Sequence, residues 1–82
     1  MAIASMIVQP AGEHTNTVIA ALEDICGITV HSVTAKQEII IVVEAESLTQ
    51  VTQIASQAEQ LPHVLGVFPT YVTTADQTAT HL

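Results

Sequence analysis

The side chains able to do chemistry are few and unevenly matched. Eight carboxylates stand against a single base, Lys36, and there is no arginine. The four histidines, His14, His31, His63 and His81, lack the close helical or loop spacing that gathers imidazoles on a metal. Cys26 stands alone, so no paired-thiolate metal site and no internal disulfide can form, and a reduced, cytoplasmic setting is expected. The chain has no Gly-rich phosphate loop and no nucleophile motif. Nucleic-acid binding needs several bases to displace phosphate counterions, and one lysine cannot supply them. These residues therefore predict no enzyme, no metal and no cofactor. What remains is the chemistry of carboxylates meeting a cation. They steer its approach, and they accept two parallel hydrogen bonds when the cation is a guanidinium.

The placement of the carboxylates matters more than their number. Glu38 and Glu44 bracket the unbroken β-branched run Ile39–Val43. Side chains alternate along a strand, so this run sends Ile39, Ile41 and Val43 one way and Glu38, Ile40, Val42 and Glu44 the other. A buried unpaired carboxylate is costly, so the glutamate-bearing set should face away from the core.

The elements needed to hold that strand follow from periodicity. "AIASMIV" at 2–8 is a short apolar strand stopped by Gln9-Pro10. From Glu13 to Ile25 the period becomes helical, with Val18, Leu22 and Ile25 on one face and Gly27 after the last apolar position. "ITVHSVT" at 28–34 is a second strand, "AKQ" a tight connection, and 38–45 a third strand. Ser47 with Gln50 has the form of a capping box opening a second helix, which ends near Pro62. "VLGVFPTYV" at 64–72 is the last strand. Pro69 lacks a backbone donor, which predicts a sheet edge or a bulge there.

The order β-α-β-β-α-β predicts an α+β, ferredoxin-like fold: a four-stranded antiparallel sheet, strands one and three central, with two helices on one face. At 82 residues the chain has room for one small domain. We assign that domain to 1–73 and expect the polar stretch 74–82 to fray. With one Phe and one Tyr, the core must be aliphatic. The N-terminal apolar run is too short to span a bilayer and has no basic region before it, so neither membrane insertion nor a targeting signal is expected.

Two helices on one side leave the other side of the sheet uncovered. On that face the pattern places Ile40 and Val42 between Glu38 and Glu44, with Ile3, Ser5 and Ile7 from strand one and Thr29, His31 and Val33 from strand two. For strand four, either Phe68 and Thr70 or Val67 and Pro69 turn outward. The face is thus apolar in its middle and acidic at its margins, which suits a ligand with an apolar stripe and positive charge. Three other uses compete: a back-to-back homodimer, a regulatory module holding a metabolite at a dimer interface, and a partner strand added at the sheet edge.

Three stretches carry a family resemblance. "ASMIVQP" at 4–10, "IIIVVEAES" at 39–47 and "LPHVLGVFPTYV" at 61–72 resemble the NapD proteins. The similarity runs from about Ala4 to Val72. The family's strand-helix junction "VVVEAE" stands here as "IVVEAE" at 41–46, and its "GVLAVSLVY" type of last strand as "HVLGVFPTY". The chain departs from the pattern at "AKQ", where the family has a Gly-containing turn, and at Pro69.

The resemblance implies a cytoplasmic chaperone for assembly of periplasmic nitrate reductase. Such a chaperone binds the twin-arginine signal peptide of the catalytic subunit, NapA, as a helix on the sheet surface. It delays export until the molybdenum cofactor is inserted. Carried onto this sequence, Ile3, Ile7, Ile40 and Val42 would bury the apolar side of the peptide beside Ser5. Glu38, Glu44 and Glu46 would pair with its arginines.

Overall fold

A computed structural model describes residues 1–74, with side chains through Tyr71. The element order is β1 (Ala2–Pro10), α1 (Thr15–Glu23), β2 (Ile28–Val33), β3 (Ile39–Ala45), α2 (Leu48–Glu59) and β4 (Val64–Thr74). The strands form one antiparallel sheet in the order β2-β3-β1-β4, with β1 and β3 central as the pattern predicted.

β1 and β3 are in register without a break, from Ala2 opposite Ala45 to Val8 opposite Ile39. Alternation then decides the layers. Ala2, Ala4, Met6 and Val8 of β1 and Ile39, Ile41 and Val43 of β3 are buried in one cluster with Val18 and Leu22 of α1 and Val51 and Ala58 of α2. Both helices therefore cover the same face. Their apolar stripes seal it, and the small Ala2, Ala4 and Ala58 let the helix backbones approach the sheet.

Local chemistry sets the boundaries. Ser47 caps α2: its hydroxyl accepts the Gln50 N–H at 3.2 Å, while the Gln50 side-chain carbonyl accepts the Glu46 N–H at 2.9 Å. That closes the reciprocal cap the sequence suggested, one residue wider. α1 is shorter than its periodicity implied. It begins at Thr15 behind an N-cap at His14, so Glu13 lies outside the first turn. It ends at Glu23, well before Gly27.

Gly27 serves another purpose than a helix cap. It has φ of 97°, and a Cβ there would stand 2.9 Å from the Glu44 carbonyl oxygen. Its own carbonyl accepts the Glu44 N–H at 2.8 Å. The glycine thus lets β2 enter the sheet hard against the end of β3.

The β2–β3 connection explains how "AKQ" turns without glycine. Gln37 takes the left-handed conformation, φ 67°, in a turn closed by its N–H on the Thr34 carbonyl at 2.9 Å. The Thr34 hydroxyl accepts the N–H groups of Lys36 and Glu38, each at 3.2 Å, and offsets part of the cost of that backbone.

At the same end of the molecule His63, also left-handed with φ 69°, stacks its ring on His14. The centroids are 3.7 Å apart and the planes 8° from parallel. The His63 carbonyl accepts the Ala11 N–H at 2.7 Å, tying the β1–α1 loop to the start of β4. The stacked pair thus braces the two loops against each other.

β4 is an edge strand, and it also carries bulges. Tyr71 lies opposite Ser5, yet Pro69 lies opposite Met6, leaving Thr70 as the extra residue. Both outcomes allowed for Pro69 occur together. The Thr70 hydroxyl donates to the Ser5 carbonyl at 3.1 Å across the irregularity. β4 continues to Thr74, so Thr73 and Thr74 belong to the sheet, and 75–82 of the expected fraying tail lie outside the described residues.

Candidate functional site

The face away from the helices is read directly from the cross-strand register. Three rows cross the sheet. Ser32, Ile40, Ile7 and Phe68 form one; Thr29, Val42, Ser5 and Tyr71 form the next; Glu44 beside Ile3 begins the third. Ile3, Ser5, Ile7, Ile40 and Val42 are each half-buried on the face that neither helix covers. Their inward counterparts, Ala4, Met6, Ile41 and Val43, are buried. The parity inferred from the two glutamates is therefore correct. Ile40 and Val42 lie outside, and Ile39 and Ile41 lie beneath the helices.

The three predicted carboxylates are differently placed. Glu44 is exposed at the β3 terminus, across from Ile3. Glu46 is exposed one step beyond the strand, where the chain turns into α2. Glu38 is half-buried in the hairpin, at the opposite end of β3. The strand thus separates two open carboxylates from a third that is partly covered. At about 3.3 Å per residue the separation from Glu38 to Glu44 is roughly 20 Å.

Two assignments change. Val33 does not join the open face. β2 has its own bulge between Val30 and Ser32, which sets Ser32 opposite Ile40 and Val33 opposite Ile39, on the helix side. His31 is the extra residue, its ring nitrogen 3.2 Å from the Ser32 hydroxyl. On β4 the ambiguity resolves toward Phe68, and the bulge at Thr70 brings Tyr71 onto the same face although three positions separate them. Tyr71 was not anticipated from alternation, which would have sent it inward.

The aromatic side chains of this edge are well exposed, Phe68 at 52% and Tyr71 at 63%. The Phe68 ring lies back over Gly66, so close that a Cβ on Gly66 would stand 2.7 Å from the ring's Cζ. Glycine is what lets the ring rest against the sheet.

In dimensions, the apolar floor suits one helix. Three strands at about 4.8 Å spacing give a width near 10 Å, and Ile3 to Ile7 spans about 13 Å. An α-helix with side chains is about 10–12 Å across. Among the described residues no three metal-ligating side chains converge.

The arrangement defines a ferredoxin-like α+β protein with one open sheet face, aliphatic in its middle, aromatic along β4 and acidic at the Glu44 end. The chain belongs to the NapD protein family, whose model matches residues 1–76. It is similar to the solution structure of the E. coli Tat proofreading chaperone protein NapD, at 25% identity and a TM-score of 0.79, over 98% of this chain and 85% of that one. None of the curated proteins matches it.

Proposed function

We propose that this protein is a proofreading chaperone of the twin-arginine export route that serves periplasmic nitrate reductase. It binds the signal peptide of the catalytic subunit NapA on its open sheet face and performs no chemistry. Family membership and the likeness to a Tat proofreading chaperone support the class of function. The observation that carries the binding mode is the pairing, on one face, of a half-buried aliphatic floor with exposed carboxylates at its end. A twin-arginine leader has the complementary parts, a basic region followed by an apolar one.

Apolar burial supplies most of the affinity. Each aliphatic side chain gains about 1.5–3 kcal/mol on full burial, whereas an exposed ion pair gains about 0–1 kcal/mol. Ile3, Ile7, Ile40 and Val42 form the floor, and Ser5 offers a hydroxyl between them. Glu44 and Glu46 meet the arginines, and Glu38 marks the far margin. A peptide held here is unavailable to the export receptor, so control is by competition, in the cytoplasm where the unexported subunit is found.

Calorimetric titration with the leader peptide tests this, with circular dichroism following the bound state. The expected result is saturable binding that weakens with salt, with a gain of helical signal. A gain of strand signal would favour edge addition. No binding by a protein that sediments as a tight dimer would favour the interface module.

A further inference from the structure

The two ends of the open face differ electrically, and its two sides differ in shape. At one end Glu44 and Glu46 are exposed, and Glu23 and Asp24, at the close of α1, lie at the same end. At the other end Glu38 is half-buried beside Lys36, the chain's single basic side chain. The roughly 20 Å between the ends is more than twice the Debye length of about 8 Å at physiological salt. Lys36 therefore repels a cation locally without neutralising Glu44. Across the sheet, β2 offers the hydroxyls of Thr29 and Ser32, whereas β4 carries the exposed rings of Phe68 and Tyr71. A helix set on the floor finds an aromatic wall on one side only.

Resting on the signal-peptide reading above, we infer that the peptide runs parallel to β1, its arginines at the Glu44 end and its apolar segment wedged between Ile40 and the β4 aromatics. The direction follows because the basic region of a leader precedes its apolar region. β1 runs from Ile3, beside Glu44, to Ile7, beside Phe68. The same direction brings the positive N-terminal end of the peptide helix to the carboxylates. Tyr71, one row from Glu44, offers an exposed ring to a guanidinium, and Phe68 packs the apolar segment. Phe68 and Tyr71 thereby fix the lateral position of the helix over β1, where a purely aliphatic sheet would let it slide.

The native chain carries its own probe. Cys26 is the single cysteine, it is exposed, and it borders the same recess as Glu44 and Glu46. A nitroxide attached there should broaden the NMR signals of an isotope-labelled leader most strongly around its arginines, with the effect fading toward the apolar end. A second label on Ala35→Cys in a Cys26→Ser background, at the hairpin, should give the opposite gradient. Phe68→Ala should weaken binding about five- to thirtyfold without moving the arginine end of the gradient.

Binding with the gradients reversed, or equal from both labels, overturns the direction while leaving the signal-peptide reading intact. Unchanged affinity in both Phe68→Ala and Tyr71→Ala overturns the wall. Absence of any binding by the unlabelled protein removes both this inference and the reading on which it rests.

Discussion

Ile40 and Ile41 are adjacent, both isoleucine and both in β3, yet the structure gives them opposite work. Ile41 is fully buried, opposite Met6 and Val30, with both helices packed on its side of the sheet. Ile41→Ala removes a core side chain into a space that cannot fully collapse, at a cost of about 2–5 kcal/mol. A chain of this length is stable by roughly 4–12 kcal/mol, so the loss is a large fraction of the whole. At about 4–8 °C per kcal/mol, the melting temperature should fall by about 8 °C or more. Ile40 is half-buried on the open face, so Ile40→Ala should cost about half of the usual 1.5–3 kcal/mol of burial, near 1 kcal/mol. Urea unfolding followed by circular dichroism measures both. Leader-peptide titration then reads the complementary effect, with Ile40→Ala weakening binding about five- to thirtyfold. Equal destabilisation by the two substitutions, or a stable Ile41→Ala beside an unfolded Ile40→Ala, would refute the assignment of faces.

Other perturbations probe single contacts. Glu44→Lys should weaken leader binding about two- to tenfold at low salt, with the difference shrinking at high salt, in titrations at two ionic strengths. Ser47→Ala removes the hydroxyl that caps α2 and should cost about 1 kcal/mol in urea unfolding, whereas Ser47→Asp should retain the cap. Gly27→Ala combines a left-handed backbone with a 2.9 Å approach to the Glu44 carbonyl, so it should destabilise by more than about 1 kcal/mol and disturb the amide resonances of Glu44 and Ala45. Gly66→Ala should displace the Phe68 ring, read as loss of ring-current shifts near Gly66, with little change in unfolding midpoint because the ring is half exposed.

The fold was readable because its main determinant is parity, and parity was labelled by charge. Glu38 and Glu44 marked which side of β3 could not be core, the lone hydroxyl of Ser5 favoured turning Ile3, Ser5 and Ile7 the same way, and the unbroken β1–β3 register agrees with both. What escaped the sequence was single-residue insertion. Nothing in "ITVHSV" distinguishes an extra His31 from an ordinary strand position, so plain alternation puts Val33 on the open face, whereas the bulge turns it to the helix side. Pro69 signalled that β4 departs from a regular ladder, but it could not tell whether the departure would be an edge, a bulge or both, and so Tyr71 was missed. The extent of α1 was overestimated because Glu13 and Ile25 fit a helical period while the chain was already turning. The role of Gly27 depends on Glu44, seventeen positions away, and no local pattern contains that contact.

The irregularities at His31 and Thr70 have a consequence for the protein's life in a crowded cell. A sheet that leaves grease uncovered and ends in two unshielded borders is a standing invitation to stack into fibrils. Here both borders are out of step, one at His31 and the other at Thr70 beside Pro69, whose tertiary amide nitrogen has no hydrogen to donate, so a regular ladder with a neighbouring copy would be interrupted at either edge. The two broken borders thus work against regular edge-to-edge stacking while leaving the broad face accessible.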